Sequence, residues 1–286
     1  MAKEITLGVC STGSRLKLAV FDGKKFYCAQ RRVFNQEKPL FPMINKLLGG
    51  AGLGAVKIFC AVRGPGRFTG IRIGLTLGRV LEALAGAKIY SVTLFEVMAL
   101  QAFESANFKS WAKRRQKTKI AVLMRAFKDE YFCQVFQVTS EKQPVGSPGV
   151  LESKSQEFKI QDSGFKIGKL SDSQTPRLPD SQTSTPEPST LFKAVEEPQW
   201  LKVPEMKEYL SALGPELFVI GDAEEDPSVY TLVPAYCAKA GSGISKIIPA
   251  YLIKTALARK NRNSAPLYLK PARYELEQKA GRPVSR

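Results

Sequence analysis

The run RGPGRFTGIRIG, residues 63–74, combines a glycine-proline turn with the start of a helix. Gly64 and Gly66 permit positive φ on either side of the proline, so the chain can leave a strand predicted over residues 57–62 through a tight turn. Thr69 suits the cap of the helix that follows. A glycine-rich loop of this kind can cradle a phosphate or launch a closely packed helix, and the glycines alone do not decide between these roles.

Three further glycines lie inside the predicted helix, residues 69–84. Gly70, Gly74 and Gly78 recur at every fourth position and therefore lie close to one helix face. Such a smooth face lets another helix approach unusually closely. The sequence therefore predicts a helix-helix seam here, which a bulky residue such as leucine at Gly74 would hold apart.

The chain contains no histidine. This excludes a Ser-His-Asp or Cys-His nucleophile and any histidine-ligated metal site. Chemistry that uses carboxylates, lysines or positioned phosphates remains open. The candidate acids are Asp22, Asp129 and Asp222, which follow predicted strands or lie in turns, where they are also ordinary turn residues.

The net charge of +17, from 43 basic and 26 acidic residues, favours a polyanion such as RNA or an acidic protein as partner. The basic residues cluster in residues 254–286 and in KRRQKTK, residues 113–119, just after Trp111. A solvated basic surface without a dedicated ligand is the alternative for both clusters. The candidate nucleic-acid contacts are Lys113, Arg114, Arg115 and Lys117.

Composition sets broad limits on the protein. A chain of 286 residues that is 44% hydrophobic can bury a large core and most naturally forms two domains or lobes. No apolar run is long enough to span a bilayer and the N-terminus lacks a signal-peptide core, so we expect a cytoplasmic location. The five cysteines are scattered without a CxxC pair. We therefore expect no disulfide framework, no metal site and no cofactor.

Hydrophobic periodicity predicts an α/β first half. Three antiparallel strands come first, followed by helices that alternate with strands, with Pro39 at the first position of the first helix. The predicted strands are 5–10, 16–21, 26–33, 57–62 and 88–92, and the predicted helices are 39–48, 69–84 and 94–104.

The second half begins in the same way as the first. Strands at 120–127 and 131–138 flank a polar turn, and a helix at 204–213, a strand at 217–220 and a helix from Pro249 to residue 260 follow. Two lobes that each begin with strand, turn and strand suggest a duplicated architecture of the actin and sugar-kinase type. Two unrelated hairpins are the alternative.

Three segments are predicted: a first lobe at 1–103 that contains the partner-binding helices, a second lobe at 104–240, and a C-terminal helix with a basic tail at 241–286. The second lobe contains an insertion at about 140–200. Within it, residues 171–190 hold four prolines and almost no hydrophobic side chain, so they cannot offset the entropy of ordering by burial. We expect a flexible surface segment there.

Several motifs in a fixed order carry a family resemblance. The run at 63–74 resembles the GxGPGSFTGLRIG signature of the TsaB (YeaZ) family, whose following helix and strand lead to Ser-Leu-Glu, here within IYSVTLFEV at 89–97. PLFPMINKLL at 39–48 is similar to the family's LLPMIDELL helix, and APLYLK at 265–270 to its PVYLR. The match is strong over 1–103 and weak over 140–240. It implies a two-lobed actin-like fold, of the sugar-kinase and Hsp70 type, with mixed sheets and flanking helices.

The resemblance also implies a role. Family members are non-catalytic subunits of the machinery that makes threonylcarbamoyladenosine in tRNA. They pair through first-lobe helices with the catalytic subunit TsaD, which holds the metal and the nucleotide, and the complex recruits the ATPase TsaE. The same surface can form a homodimer when the partner is absent. The implied interface or fold-setting positions are Leu40, Ile44, Leu47, Gly64, Pro65, Gly66, Arg67, Phe68, Thr69, Gly70, Arg72, Gly74 and Gly78.

Two departures from the family pattern affect these expectations. Cys10 stands where the family's opening strand has an aspartate, which in actin-like kinases organises magnesium and phosphate, so phosphoryl transfer by this chain is disfavoured. Arg67 replaces the serine of GPGSFTG and would face an acidic residue of a partner. The alternatives are an ATP-dependent actin-like enzyme and a stand-alone basic RNA-binding protein that contacts tRNA.

Overall fold

The computed structural model describes residues 4–115, 118–138 and 192–270. Lys117, most of the predicted insertion and the tail beyond residue 270 lie outside the described residues. The described part forms two lobes, each built on one mixed β-sheet. The predicted two-lobed α/β architecture is confirmed.

The first lobe is a five-stranded sheet in the order β3-β2-β1-β4-β5. β2 pairs antiparallel with both β1 and β3, whereas β4 runs parallel to β1 and β5 parallel to β4. This lobe contains β1 (Ile5–Cys10), β2 (Arg15–Phe21), β3 (Phe26–Arg32), α1 (Glu37–Leu48), β4 (Val56–Gly64), α2 (Phe68–Ala85), β5 (Lys88–Thr93), α3 (Leu94–Glu104) and α4 (Ala106–Ala112).

The second sheet repeats the opening of the first. β6 pairs antiparallel with β7, and β10 runs parallel to β6, as β4 does to β1. β8 and β9 extend the sheet beyond β7, and β11 lies beside β10. The elements are β6 (Thr118–Phe127), β7 (Glu130–Val138), β8 (Phe192–Ala194), β9 (Gln199–Lys202), α5 (Val203–Ala212), β10 (Leu217–Gly221), β11 (Ala238–Lys239) and α6 (Pro249–Arg259).

The helices form layers around the two sheets. One buried cluster joins α3 and α6 to side chains of both sheets, so these two helices lie between the lobes and share one core with them. A second cluster holds α1 and α2 against the opposite face of the first sheet. α5 packs with the outer face of the second sheet in a third cluster. Because α1 and α2 cover the same sheet face, their far sides both point away from that sheet.

Several predicted boundaries were wrong. α1 begins at Glu37, so Pro39 is its third residue, and α2 begins at Phe68 with Arg67 at the N-cap position, so Thr69 does not cap it. Residues 192–200 were assigned to a flexible insertion, but β8 and β9 pair with β7 there. The backbone carbonyls and amides of β7 outside the hairpin need partners, and these short strands supply them.

The segment after α6 crosses the first lobe in extended form. Leu267 donates its backbone N–H to the Arg63 carbonyl at 2.7 Å, and Tyr268 stacks on Phe68 with ring centroids 5.0 Å apart. Lys270 then reaches Glu130 of the second lobe at 2.5 Å. Up to residue 270, the C-terminal segment therefore contacts both lobes.

Candidate functional site

The glycine-proline turn is packed on both sides by the chain itself. Gly64 and Gly66 have φ values of 134° and 148°, which only glycine adopts readily. A Cβ at Gly66 would lie 2.5 Å from the Thr12 side chain, and one at Gly64 would lie 2.6 Å from the Leu267 carbonyl. Arg67 also donates its N–H to the Thr12 carbonyl at 2.8 Å. These glycines set the fold by allowing β4, the first hairpin and the C-terminal segment to meet.

The predicted helix-helix seam is wrong, because the glycine face of α2 packs against the chain's own sheet. A Cβ at Gly70 would lie 1.8 Å from the Ser11 carbonyl oxygen, and one at Gly78 would lie 2.9 Å from the Phe59 ring. Gly74 faces the Ser11 hydroxyl. All three glycines are buried. Close approach was correctly predicted, but the element that approaches is β1 with β4 and not a helix of a partner.

Other predicted interface positions also face inward. Leu40 and Ile44 are buried in the core between α1 and the sheet, and Gly64 and Pro65 are buried in the turn. Leu47 is half-buried. The predicted positions that do face solvent surround the start of α2. They are Gly66, Arg67, Phe68, Thr69 and Arg72.

A second stripe on α2 was missed at the sequence level. A different side of α2 from the glycines carries residues that recur at every third or fourth position: Thr69, Ile73, Thr76, Val80 and Leu84. All are exposed except Ile73, which is half-buried. The spacing of three or four residues that identified the glycine face could also have identified this stripe. Because the helix carries apolar residues on two faces, only the packing shows which face is buried against the sheet.

Aromatic side chains extend this stripe toward α1. Phe34, in the loop before α1, is fully exposed, and Phe41 on α1 and Phe68 on α2 are about half exposed. The Arg72 guanidinium lies 3.9 Å from the Phe68 ring centroid. We call the surface formed by these aromatics and the α2 stripe the outer helix face. Large apolar groups gathered on one surface mark an interaction site.

A cavity of about 400 Å³ lies between the lobes. Its size suits a small ligand. Cys10, Arg67, Arg125, Asp222 and Lys270 are among the residues that line it. Cys10 is buried at the position of the missing aspartate, and burial raises the pKa of its thiol, so it offers no negative charge to a cation. Arg125 and Lys270 already face carboxylates of this chain.

The chain's own acidic loop occupies the first hairpin turn at the edge of this cavity. Glu225 Oε1 accepts hydrogen bonds from the backbone N–H and the hydroxyl of Ser14, each at 2.8 Å. Glu224 lies 3.3 Å from Arg15 and forms an ion pair with the buried Lys17. Turn N–H groups and nearby cations are what a phosphate would use, and here carboxylates of the second lobe hold them. These contacts also connect the two lobes.

The three candidate acids, Asp22, Asp129 and Asp222, lie in turns or are buried within the fold. Asp222 is buried beside Lys17, and burial raises the pKa of its carboxyl to about 6 although the ammonium group opposes this shift. Asp22 accepts hydrogen bonds from the backbone of Lys24 and Lys25 and closes the β2-β3 turn. Asp129 lies in the β6-β7 turn. The structure does not bring the three aspartates together.

The basic cluster at the end of α4 is exposed over Lys113, Arg114 and Arg115. Arg115 lies over the Trp111 ring at 4.4 Å and donates to the Trp111 carbonyl. Within the described ranges, no three His, Cys, Asp or Glu side chains group in a way that could hold a metal ion. No helix in that part of the chain is long and apolar enough to cross a membrane.

The two mixed sheets with helices between and around them define a two-lobed actin-like α/β protein. Two solved structures from Pseudomonas aeruginosa share the fold. One is described as similar to peptidase YeaZ (TM-score 0.56, 17% identity), and the other is YeaZ (TM-score 0.54, 16% identity). Each alignment covers 93% of this chain and 100% of the solved chain. Over 118 residues the chain is 26% identical to the tRNA threonylcarbamoyladenosine biosynthesis protein TsaB of Haemophilus influenzae. The aligned stretch is 41% of this chain and 47% of that protein.

The chain thus spans about half the length of the curated relative that it matches. No protein-family model matches the chain. The likeness to YeaZ structures shows the fold, and the partial match to TsaB agrees with the family that the sequence motifs resemble. The resemblance to the TsaB (YeaZ) family is confirmed.

Proposed function

We propose that this chain is a non-catalytic subunit of the complex that installs threonylcarbamoyl on adenosine of tRNA, and that it pairs through α1 and α2 with a TsaD-like catalytic subunit. The observation that carries the proposal is the outer helix face. It lies on the two helices that the family resemblance assigns to pairing, and it replaces the buried glycine face as the contact surface.

The composition of this face supports a protein partner. Val80 is 43% exposed and Leu84 is 83% exposed on α2, and Phe41 adds an exposed ring on α1. A few side chains near the centre of an interface, often aromatic, carry most of its binding energy, and the surrounding apolar groups exclude water. Burying these groups against a matching apolar surface releases free energy at about 25 cal/mol per Å².

A matched pair of valines tests this surface. Val80 and Val195 are similarly exposed, at 43% and 50%, but Val195 lies in the second lobe beyond β8. Val80→Asp should weaken binding to the TsaD-like subunit at least about tenfold, because it places a charge in the apolar stripe of α2. Val195→Asp should change this binding less than about twofold. Binding is measured by biolayer interferometry with purified full-length chains. Equal effects of the two substitutions would contradict the proposed surface.

The remaining expected partners follow from the same resemblance. A TsaE-like ATPase would join the complex, and the outer helix face would form a homodimer when the TsaD-like subunit is absent. The exposed cluster Lys113, Arg114 and Arg115 supplies positive charge for a tRNA contact. The cytoplasm, where we expect this chain, is then the site of action.

Catalysis of an ATP-dependent reaction by this chain alone is the second class of function. Cys10 at the acid position and Glu225 on the hairpin turn both disfavour it. Isothermal titration of the isolated chain with ATP and magnesium decides the question. Absence of binding agrees with a subunit whose chemistry lies in its partner, whereas tight binding with turnover would replace the proposal.

A further inference from the structure

One edge of the first sheet is open along β3. This strand has seven residues, pairs with β2 on one side and is the last strand in the sheet order β3-β2-β1-β4-β5. The chain itself covers part of the opposite edge, where Ser91 of β5 donates its N–H to the Asn261 carbonyl at 2.8 Å. An open edge strand carries backbone N–H and C=O groups that can pair with another strand.

The hydrogen bonds of the β2-β3 hairpin show which groups of β3 are open. Val33, directly after β3, donates its N–H to the Ser14 carbonyl at 3.2 Å. Because hydrogen-bonded and non-hydrogen-bonded pairs alternate along an antiparallel ladder, the N–H and C=O groups of Tyr27, Ala29 and Arg31 point toward β2. Those of the intervening residues point outward, and within the described ranges they form no backbone hydrogen bond beyond the hairpin: Phe26, Cys28, Gln30 and Arg32.

A basic groove lies beside this edge, on the sheet face that α1 covers. Arg31 lies on that face, because it pairs directly with Leu16, whose side chain packs in one core with α1. Arg31 lines a cavity of about 340 Å³ together with Lys38 and Lys46 of α1, and all three are exposed. The rest of the lining is apolar, and the lining residues that the structure describes include no acid: they are Pro39, Pro42 and Met43. An anionic side chain placed beside Arg31 would therefore lie among three cations.

The open backbone groups favour a polypeptide over a nucleic acid at this edge. A phosphate of a nucleic acid backbone accepts hydrogen bonds but donates none, so it could not pair with the outward carbonyls of β3. An extended polypeptide offers alternating N–H and C=O groups at the repeat of a strand. A second copy of β3 would bring further arginines to the same basic groove, which like-charge repulsion disfavours.

We propose that β3 receives an extended acidic segment of another protein as an added strand of the first sheet. The backbone of this segment pairs with the outward N–H and C=O groups of β3. Its side chains at alternate positions lie on the α1 side, where aspartate or glutamate contacts the basic groove formed by Arg31, Lys38 and Lys46. This interaction goes beyond the pairing with a TsaD-like subunit and does not depend on it.

The first test follows amide hydrogen exchange by NMR in the isotope-labelled full-length chain. The probe is a capped peptide that alternates glutamate and valine and is as long as β3. We expect the peptide to slow exchange at the outward amides of β3 and to change little at Tyr27, Ala29 and Arg31, which already donate to β2. Absence of peptide binding, or binding without this alternation, would overturn the proposal. Slow exchange of the outward amides before the peptide is added would show that the edge is already paired, which overturns it too.

A matched pair of substitutions at Gln30 tests the backbone contact. Gln30→Pro removes an outward N–H and keeps the hairpin bonds, since an edge strand tolerates proline where its N–H faces solvent. Affinity for the glutamate peptide, measured by fluorescence anisotropy, should fall about fivefold or more in Gln30→Pro and less than about twofold in Gln30→Ala, which keeps the N–H. Circular dichroism shows that both variants are folded. Equal affinities of the two variants would overturn the added strand.

The charge of the segment is tested separately and does not require Gln30→Pro to fold. A peptide that alternates lysine and valine should bind at least about tenfold more weakly than the glutamate peptide, and added salt should reduce this difference. Arg31→Gln should weaken binding of the glutamate peptide about two- to fivefold, and Arg79→Gln, on α2, should change it less than about twofold. Equal binding of the two peptides, or equal effects of the two substitutions, would overturn the acidic partner.

Discussion

Alanine substitutions at Gly70, Gly74 and Gly78 should have very different effects on the free energy of unfolding, although all three positions lie on one face of α2. In an open helix, replacing glycine by alanine stabilises a protein by about 1 kcal/mol. At Gly70 the new Cβ would lie 1.8 Å from the Ser11 carbonyl oxygen. An ordinary carbon-oxygen contact is about 3.3 Å, so α2 or β1 would have to move by about 1.5 Å, and overpacking of this kind costs about 1–3 kcal/mol or more.

Gly74 is the internal control. A Cβ there meets only the Ser11 hydroxyl oxygen, at 3.4 Å, whereas at Gly78 it lies 2.9 Å from an edge carbon of the Phe59 ring. We expect Gly70→Ala to lower the free energy of unfolding by about 2–3 kcal/mol and Gly74→Ala to raise it by up to about 1 kcal/mol. The change for Gly78→Ala should lie between these two values.

The assay is thermal unfolding followed by circular dichroism. For a chain of this size about 1 kcal/mol shifts Tm by about 2–4 °C, so Gly70→Ala should melt about 4–12 °C below wild type and Gly74→Ala slightly above it. Affinity of Gly74→Ala for the TsaD-like subunit should be unchanged. Loss of binding in Gly74→Ala without loss of stability would refute the internal role of the glycine face, and so would a neutral Gly70→Ala.

Two further predictions concern the contact between the lobes. Glu225→Ala leaves the Ser14 N–H without an acceptor and should lower the free energy of unfolding in urea by about 1–3 kcal/mol, with a smaller loss for Glu225→Gln. An unchanged stability of Glu225→Ala would contradict a stabilising role of this contact between the lobes. Burial raises the pKa of the Asp222 carboxyl from 3.8 to about 6. Between about pH 4 and pH 6 the folded chain therefore binds more protons than the unfolded chain. The free energy of unfolding falls as the pH rises through this range, by up to about 3 kcal/mol. Asp222→Asn should therefore be more stable than wild type at pH 8 and equal to it at pH 4, and a difference that grows toward low pH would contradict the raised pKa.

Local patterns predicted much of the fold. Alternation of Leu16, Leu18 and Val20 with smaller or polar residues predicts β2, and the same hairpin pattern at 120–138 predicts β6 and β7. The boundaries of α1 and α2 differ by one or two residues, because an N-terminus without a side-chain cap has no strong sequence signal. α4 was missed, since seven residues carry too little periodicity.

Less of the candidate site could be predicted from the sequence. The spacing of Gly70, Gly74 and Gly78 predicts a close approach but does not identify what approaches. The structure shows that it is Ser11, directly after β1, and Phe59 of β4. Pairing between Ser14 and Glu225 joins residues 211 positions apart, and no local pattern contains it. The outer stripe of α2 was hidden because the same helix presents apolar side chains on two faces, and burial alone distinguishes them.

Pairing through the outer helix face can be tested by hydrogen exchange of the full-length chain with and without the TsaD-like subunit. We expect a complex in which slowed exchange is concentrated at the loop before α1, the exposed side of α1, and α2 from Phe68 to Leu84. The strands and helices of the second lobe should exchange as in the free chain. Absence of a complex, or protection confined to the second lobe, would show that the outer helix face is not the pairing surface.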